Sequence, residues 1–224
     1  MQNIIIYIFG LCDSRKYTVT QEIAKLENFI VVDNHLINSP ILSVLQPDGH
    51  SLLPHHTWYE IEKVRSAVYN SIKMADRNSN FILTNEFYAE DEEDSKLFHQ
   101  IQTVAKARSS QFFPVRMLCN KEEVLNRIVW EEKKMRFEAM HLGIVHKKFG
   151  YTVLKPQHDN LFEIDVTQIT PAKAAQYIID KIKETLSKEK VEKGNRDKAK
   201  LRIGKPLQSN HLIGYKRPHR QINS

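Results

Sequence analysis

The sequence predicts an α/β fold: a three-layer α/β/α sandwich around a five-stranded parallel sheet. Two observations carry that prediction. Short apolar runs alternate with longer amphipathic stretches along most of the chain, the order expected when parallel strands are joined by right-handed helical crossovers. The first run, Ile4 to Ile8, is apolar at every position instead of every second one, as a central strand covered on both faces must be. At 224 residues, the chain is long enough for one domain with a substantial core and a tail.

Each element follows from its pattern. After the first strand, Lys16 to Glu27 reads as a helix with Val19, Ile23 and Leu26 on one face. Phe29 to Val32 is a second strand, closed by Asp33 and Asn34. From Ile37 to Pro54, Pro40, Pro47, Gly49 and Pro54 predict an irregular region. Trp58, Ile61, Val64, Val68 and Ile72 mark a long amphipathic helix, and Phe81 to Leu83 a third strand. The acidic run Glu90 to Asp94 suits the positive end of the helix marked by Leu97, Phe98, Ile101, Val104 and Ala105. Phe112 to Leu118 is a fourth strand, Glu122 to Val129 a helix, and Leu161 to Ile164 a fifth strand. Thr170 before Pro171 is an N-cap followed by proline at the first helical position, opening a last helix through Leu186. Between Trp130 and Pro156 charge is dense and no strand can be placed, so a mobile insertion is expected there. A domain over 1–186 and a disordered tail over 187–224 complete the expected organisation.

The formal charge of +6 is concentrated at the end: eleven Lys or Arg from Ser187 onward oppose three acidic residues, a net +8, leaving the body near −2. Such a tail could touch nucleic acid or an anionic surface through unspecific phosphate contacts. Only Tyr215 is interleaved with its basic residues, so no stacking platform is evident and a solubilising extension explains it equally well. No window is long and apolar enough for a membrane span. The first residues lack a basic leader and a small-residue cleavage site. The two cysteines, Cys12 and Cys119, are far apart in sequence. A reduced, cytoplasmic setting is the expectation.

The stretch "IFGLCDSRKYT" carries the chemistry. A phosphate-binding loop needs glycines whose backbone N–H groups close around phosphate oxygens, a lysine for the β and γ phosphates, and a hydroxyl for magnesium. Gly10 follows a strand and Lys16 opens a helix at the required separation. The glycine expected just before the lysine is Arg15, and the hydroxyl expected just after it is Tyr17, with Thr18 next. Arg15 attracts phosphate by its charge, while its Cβ resists the backbone conformation a glycine supplies freely. A plain strand-turn-helix with Arg15 and Lys16 in solvent remains the alternative reading of these residues.

Taken with "VVDNHLINSP", "FILTNEF", "FFPVRMLCNKEEVLNRI" and "QHDNLFEIDVTQITPAKAAQYI", the loop resembles the small P-loop kinases of the shikimate, gluconate and nucleoside monophosphate kinase type. Within these it is similar to a bacterial subgroup labelled AAA-family ATPase or shikimate-kinase-like. The resemblance covers about residues 1 to 186 and not the tail. It implies a P-loop kinase fold with a lid insertion, ATP and Mg²⁺ as cofactors, and a small hydroxyl or phosphate acceptor. It keeps Gly10, Ser14, Lys16 and Thr18 of the first loop, departs at Cys12, Asp13 and Arg15, and assigns Arg15 and Tyr17 to the nucleotide site with them. Asp33, Asn34 and His35 match the polar cluster beside the acceptor; Thr84, Asn85 and Glu86 match the third strand's end near metal and acceptor. Thr18 and Glu86 are the implied Mg²⁺ ligands. Arg127 matches a lid-side arginine facing the transferred phosphate, with Lys133, Lys134 and Arg136 as lid helpers. Asp165, Val166 and Thr167 match the adenine-pocket segment. The implied mechanism is phosphoryl transfer with Lys16, Asp33 and Arg127 as catalytic residues and no covalent intermediate.

Other candidates read more simply. His35 suits a helix start as well as a substrate contact. His55 and His56 are adjacent and cannot share one helix face as a metal pair, and His141 and His146 lack Cys or carboxylate partners for zinc. Cys12, beside Arg15 and Lys16, is a candidate for thiolate character. Two rival readings of the whole stay open: a pseudo-kinase whose altered loop no longer serves catalysis, acting as an interaction module, and a nucleic-acid binder driven by the tail.

Overall fold

The structure, a computed structural model, describes residues 1–11, 14–47, 53–124, 127 and 152–203, with backbone alone for 193–203. The expected insertion from Trp130 falls outside the described residues up to 151, as do Lys133, Lys134, Arg136, His141, His146 and the tail beyond Ile203. Cys12 and Asp13 of the loop also lie outside them. By its internal contacts the chain divides into one compact unit, Met1–Thr185, and a second, Leu186–Ser224.

The elements are β1 (Ile4–Gly10), α1 (Lys16–Leu26), β2 (Ile30–Val32), α2 (Asn34–Leu45), α3 (His55–Met74), β3 (Phe81–Asn85), α4 (Glu92–Arg108), β4 (Gln111–Leu118), β5 (Phe162–Asp165) and α5 (Pro171–Ile203). The five strands lie in the order β2-β3-β1-β4-β5, and each neighbouring pair is parallel. β1 is the central strand, buried along its whole length, which is why its sequence does not alternate.

Alternation along β1 divides the core. Ile5, Tyr7 and Phe9 pack with Ile61, Tyr69 and Ile72 of α3 and Phe98 and Ile101 of α4. Aromatic edges lock this face, with Tyr7 and Phe87 ring centres 5.3 Å apart and Phe9 and Phe98 at 6.0 Å. Ile4, Ile6 and Ile8 point to the opposite layer, where Val19 and Ile23 of α1 and Ala174, Ile178 and Ile182 of α5 are buried. The pair Lys183–Glu27, at 2.6 Å, joins the two helices of that layer.

Local chemistry sets the helix ends. Asp91 caps α4 by accepting from the Glu93 N–H, and Glu92, Glu93 and Asp94 fill its first turn. Thr170 caps α5, its hydroxyl oxygen accepting from the Lys173 N–H at 3.3 Å. Arg108, at the other end of α4, is buried and donates to the carbonyls of Ile72, Ala75 and Asp76 at 2.6 to 2.9 Å, closing the orphaned end of α3.

Two expectations need correction. The region read as irregular contains α2, which holds Pro40 inside it. Asp33 starts that helix by accepting from the His35 N–H, Ile37 is buried, and Ile41 and Leu42 pack on the core. Pro40 itself is exposed, so the one hydrogen bond it cannot donate leaves the Leu36 carbonyl on a solvent-facing turn. The last helix runs to Ile203, beyond the expected end at Leu186. Residues 187–203 are rich in Lys, with Glu and Arg among them, and these residue types favour helix. No described helix is long and apolar enough to cross a membrane.

Candidate functional site

The candidate residues on described elements converge on one edge of the sheet. Parallel strands all end on the same side, and here the residues after β2, β3, β1, β4 and β5 are Asp33, Glu86, Leu11, Cys119 and Val166. In open parallel sheets that edge is where ligands bind.

β1 gives way to the loop at Gly10. A Cβ there would stand 2.3 Å from the Met117 carbonyl oxygen of β4, so the neighbouring strand alone demands glycine. Ser14 is fully buried and donates its hydroxyl to the Leu11 carbonyl at 2.8 Å. The Lys16 ammonium donates to the same carbonyl at 2.6 Å and lies 3.5 Å from the Gly10 carbonyl and 3.4 Å from the Ser14 hydroxyl. It is thus held over the turn by the turn's own oxygens. Arg15 takes a left-handed conformation, φ 60° and ψ 29°, immediately before α1. That conformation costs a residue with a side chain about 1–2 kcal/mol. Glycine would adopt it freely, which explains why the general loop pattern has glycine at this position.

Two strands away, Asp33 is 3% exposed. One carboxylate oxygen accepts from the His35 N–H at 3.0 Å, the other from the Thr84 hydroxyl, and the Thr84 oxygen accepts from the Asn34 N–H at 3.1 Å. The His35 ring nitrogen Nε2 stands 3.8 Å from the same carboxylate. Asp33, Asn34, His35 and Thr84 therefore form one knot across the ends of β2 and β3. Asn85 donates to the Tyr7 hydroxyl at 3.3 Å and accepts from the Glu86 N–H, and Glu86 accepts from the Tyr88 hydroxyl.

On the other side, Asp165 accepts from the Thr167 N–H at 2.9 Å, and this bond with that of the Thr167 hydroxyl holds its carboxyl below the usual range. The Thr167 hydroxyl oxygen also accepts from the Asn120 N–H. Arg127 is 5% exposed. It donates to the Val166 and Thr167 carbonyls at 3.1 and 3.2 Å and to Glu123 at 2.8 Å. Its described partners hold it against the turn after β5. Burial pushes the Cys119 thiol up, against the smaller opposing effect of Arg127.

No protein-family profile and no curated protein sequence matches the chain. Solved structures do. A gluconokinase from Sinorhizobium meliloti superposes with a TM-score of 0.58 at 10% identity, over 85% of this chain and 97% of its own. A sugar kinase from Janibacter superposes at 0.56 and 13% identity, covering 81% and 95% respectively. Thymidylate kinase from Candida albicans superposes at 0.54 and 16%, covering 82% and 92%. The fold is that of the P-loop kinases.

A P-loop kinase fold commonly holds magnesium through the hydroxyl after its loop lysine. Tyr17 occupies the position and is 53% exposed. Thr18 lies about 100° further round the helix and is also exposed. The hydroxyls of Ser14 and Thr20 donate to backbone carbonyls of Leu11 and Tyr17. Among the described residues, no cluster of three or more His, Cys, Asp or Glu could hold a metal ion. A tyrosine thus stands at the position of the usual ligating hydroxyl, with Thr18 exposed one residue further on and Glu86 directly after β3.

Arg65 was missed from sequence. It sits on the buried face of α3 in register with Ile61, Tyr69 and Ile72, and is 5% exposed. Its guanidinium donates to Glu62 at 3.0 Å and lies 3.4 Å from the Asn34 side-chain oxygen. Burial pushes the nearby Tyr69 phenol up, against the smaller opposing effect of the Arg65 charge. The signal was available: one arginine on an otherwise apolar helical stripe.

Proposed function

We propose that this chain is a small-molecule kinase, moving a phosphoryl group from ATP to a hydroxyl or phosphate of a small acceptor. The observation that carries the reading is the convergence on one sheet edge of the Lys16 turn with the buried Asp33–Thr84 pair. With strands about 4.8 Å apart, the Val166–Thr167 turn and Asp33 each lie about 10 Å from the loop, on opposite sides. That span suits a nucleotide base near Asp165, Val166 and Thr167, its phosphates over Lys16, and an acceptor beside Asp33.

In this reading Lys16 and the backbone N–H groups at the start of α1 hold phosphates. Gly10 and Ser14 shape the turn, and Arg15 adds charge. Asp33 orients the acceptor hydroxyl and takes its proton, with Asn34, His35, Thr84, Asn85 and Glu86 around the acceptor. Arg127 positions the base-side turn, while Lys133, Lys134 and Arg136 enter only through the resemblance as lid cations. Positioning and charge do the catalysis. A cytoplasmic setting and a tail that touches anionic surfaces belong to the same proposal.

The test is thermal unfolding of the full chain with millimolar ATP, with and without Mg²⁺. A ligand at 100 times its dissociation constant adds about 2.7 kcal/mol to stability. Stabilisation that Lys16→Ala abolishes is expected. Its absence in both conditions would turn the reading to the pseudo-kinase, which Arg15 in a left-handed conformation and Tyr17 in the hydroxyl's place favour.

A further inference from the structure

We infer that Trp58 is the stacking wall of the acceptor site, and that the acceptor it selects is a neutral, polyhydroxylated ring of the sugar class; the inference rests on the kinase reading above and names its second substrate.

The run of α3 fixes where Trp58 stands. The C-terminal end of the helix lies at the edge where the strands begin, its Ile72 and Ala75 carbonyls taken by Arg108, just before β4. Further back along α3, the Arg65 guanidinium lies 3.4 Å from the side-chain oxygen of Asn34, which follows the end of β2. Arg65 is therefore level with the strand ends that carry Asp33 and Glu86. The helix starts at His55, so about 15 Å of it rises beyond that edge.

Trp58 precedes Arg65 by seven residues, about two turns that return to within about 20° of the same face. On that face Arg65 and Tyr69 are buried, whereas Trp58 is 51% exposed, because at its height the sheet has ended. The indole accordingly looks over the strand ends instead of into the core. Its neighbour Tyr59 is exposed as well, but it lies about 100° further round the helix and has the Lys63 ammonium 4.6 Å over its ring. A lone exposed aromatic is ordinary; the place of Trp58 above the acceptor side is what sets it apart.

The floor below the indole sets the class of ligand. It carries two carboxylates, Asp33 and Glu86, with the amides of Asn34 and Asn85 and the His35 ring beside them. Carboxylates accept from hydroxyls and repel an anionic acceptor, and Glu62, 3.0 Å from Arg65, offsets the buried guanidinium at the same level. An indole presents a negative π face, which favours weakly positive C–H groups packed against it. A sugar ring meets both demands, with its C–H face on the indole and its hydroxyls toward the floor. The rise from Arg65 to Trp58 is about 10 Å, of which a carbon contact takes about 4 Å and a hydrogen bond about 3 Å. The remainder suits a single ring.

Tryptophan emission of the full chain reports the contact directly. Trp130, the other tryptophan, is replaced by phenylalanine so that Trp58 alone emits, and melting curves confirm that each variant is folded. The probes are a panel of neutral pentoses, hexoses and inositols and, separately, the common ribonucleosides and their monophosphates, each with and without millimolar ATP. The expected result is a saturable change of emission with at least one sugar. Calorimetry with that sugar should then show binding weakened about tenfold or more by Trp58→Ala and held within about threefold by Trp58→Phe. Emission that no sugar alters, a saturable response to nucleosides or monophosphates alone, or a sugar bound as tightly by Trp58→Ala as by the native chain each overturns the inference. ATP stabilisation in the same melting curves keeps the two readings apart: where it persists, the sugar assignment falls alone, and where it is missing as well, the kinase reading falls with it.

Discussion

Replacing Arg15 by glycine is expected to stabilise the protein while weakening its hold on phosphate. The left-handed backbone at φ 60° costs an arginine about 1–2 kcal/mol. Glycine removes that cost but adds about 0.4–1 kcal/mol of freedom to the unfolded chain. Loss of a cation at the positive end of α1 adds a further stabilisation of about 0.3–1 kcal/mol. The side chain is exposed, so little packing is lost. The net gain is about 1 kcal/mol, worth about 2–4 °C in melting temperature for a domain of this size. Arg15→Ala separates the contributions, because it removes the charge and keeps the Cβ in the strained conformation. Urea unfolding followed by far-ultraviolet circular dichroism should therefore rank glycine above native and above alanine. Equal stabilities for the glycine and alanine variants would refute the strain argument.

Gly10→Ala should destabilise by about 3 kcal/mol, because its Cβ would meet the Met117 carbonyl at 2.3 Å; an unchanged urea midpoint contradicts this. Arg108→Met should lose about 3–5 kcal/mol by leaving the Ile72, Ala75 and Asp76 carbonyls without their donor. A loss under about 1 kcal/mol would mean that water replaces the guanidinium. Burial pushes the Tyr7 and Tyr69 phenols up. The folded state keeps protons that the unfolded chain releases near pH 10, so this stability is present below about pH 10 and falls as pH rises further. Of the eight tyrosines, these two should show no tyrosinate absorbance at high pH until the chain unfolds, and their titration with the rest in folded protein would refute it.

The fold was legible because its strongest signals are local. An unbroken isoleucine-rich strand, amphipathic α3 and α4, and the Thr170-Pro171 helix start each need only a short window to interpret. Pro40 misled because a proline breaks a helix in isolation, whereas burial of Ile37 and the Asp33 cap hold α2 together around it. In the site, spacing alone located the turn between β1 and α1. The partners of Arg127 were illegible, since Val166 and Thr167 lie about forty residues further along the chain. Arg65 was legible in pattern, yet only the fold puts its guanidinium beside Asn34.

Gly10 and Arg15 also show which departures from a motif inform about function. Gly10 matches the phosphate-loop pattern, but the Met117 carbonyl would require glycine there if no phosphate ever bound, so its presence does not discriminate between a working loop and a bare turn. Arg15 breaks the pattern at a position where the backbone still adopts the conformation that suits glycine. A turn serving only as scaffold gains stability from reverting to glycine, and nothing in the packing of the exposed side chain opposes that reversion. The residue that violates the motif is therefore the more informative of the two. It ties the working condition of the loop to one side chain, whose charge can be removed without touching the sheet.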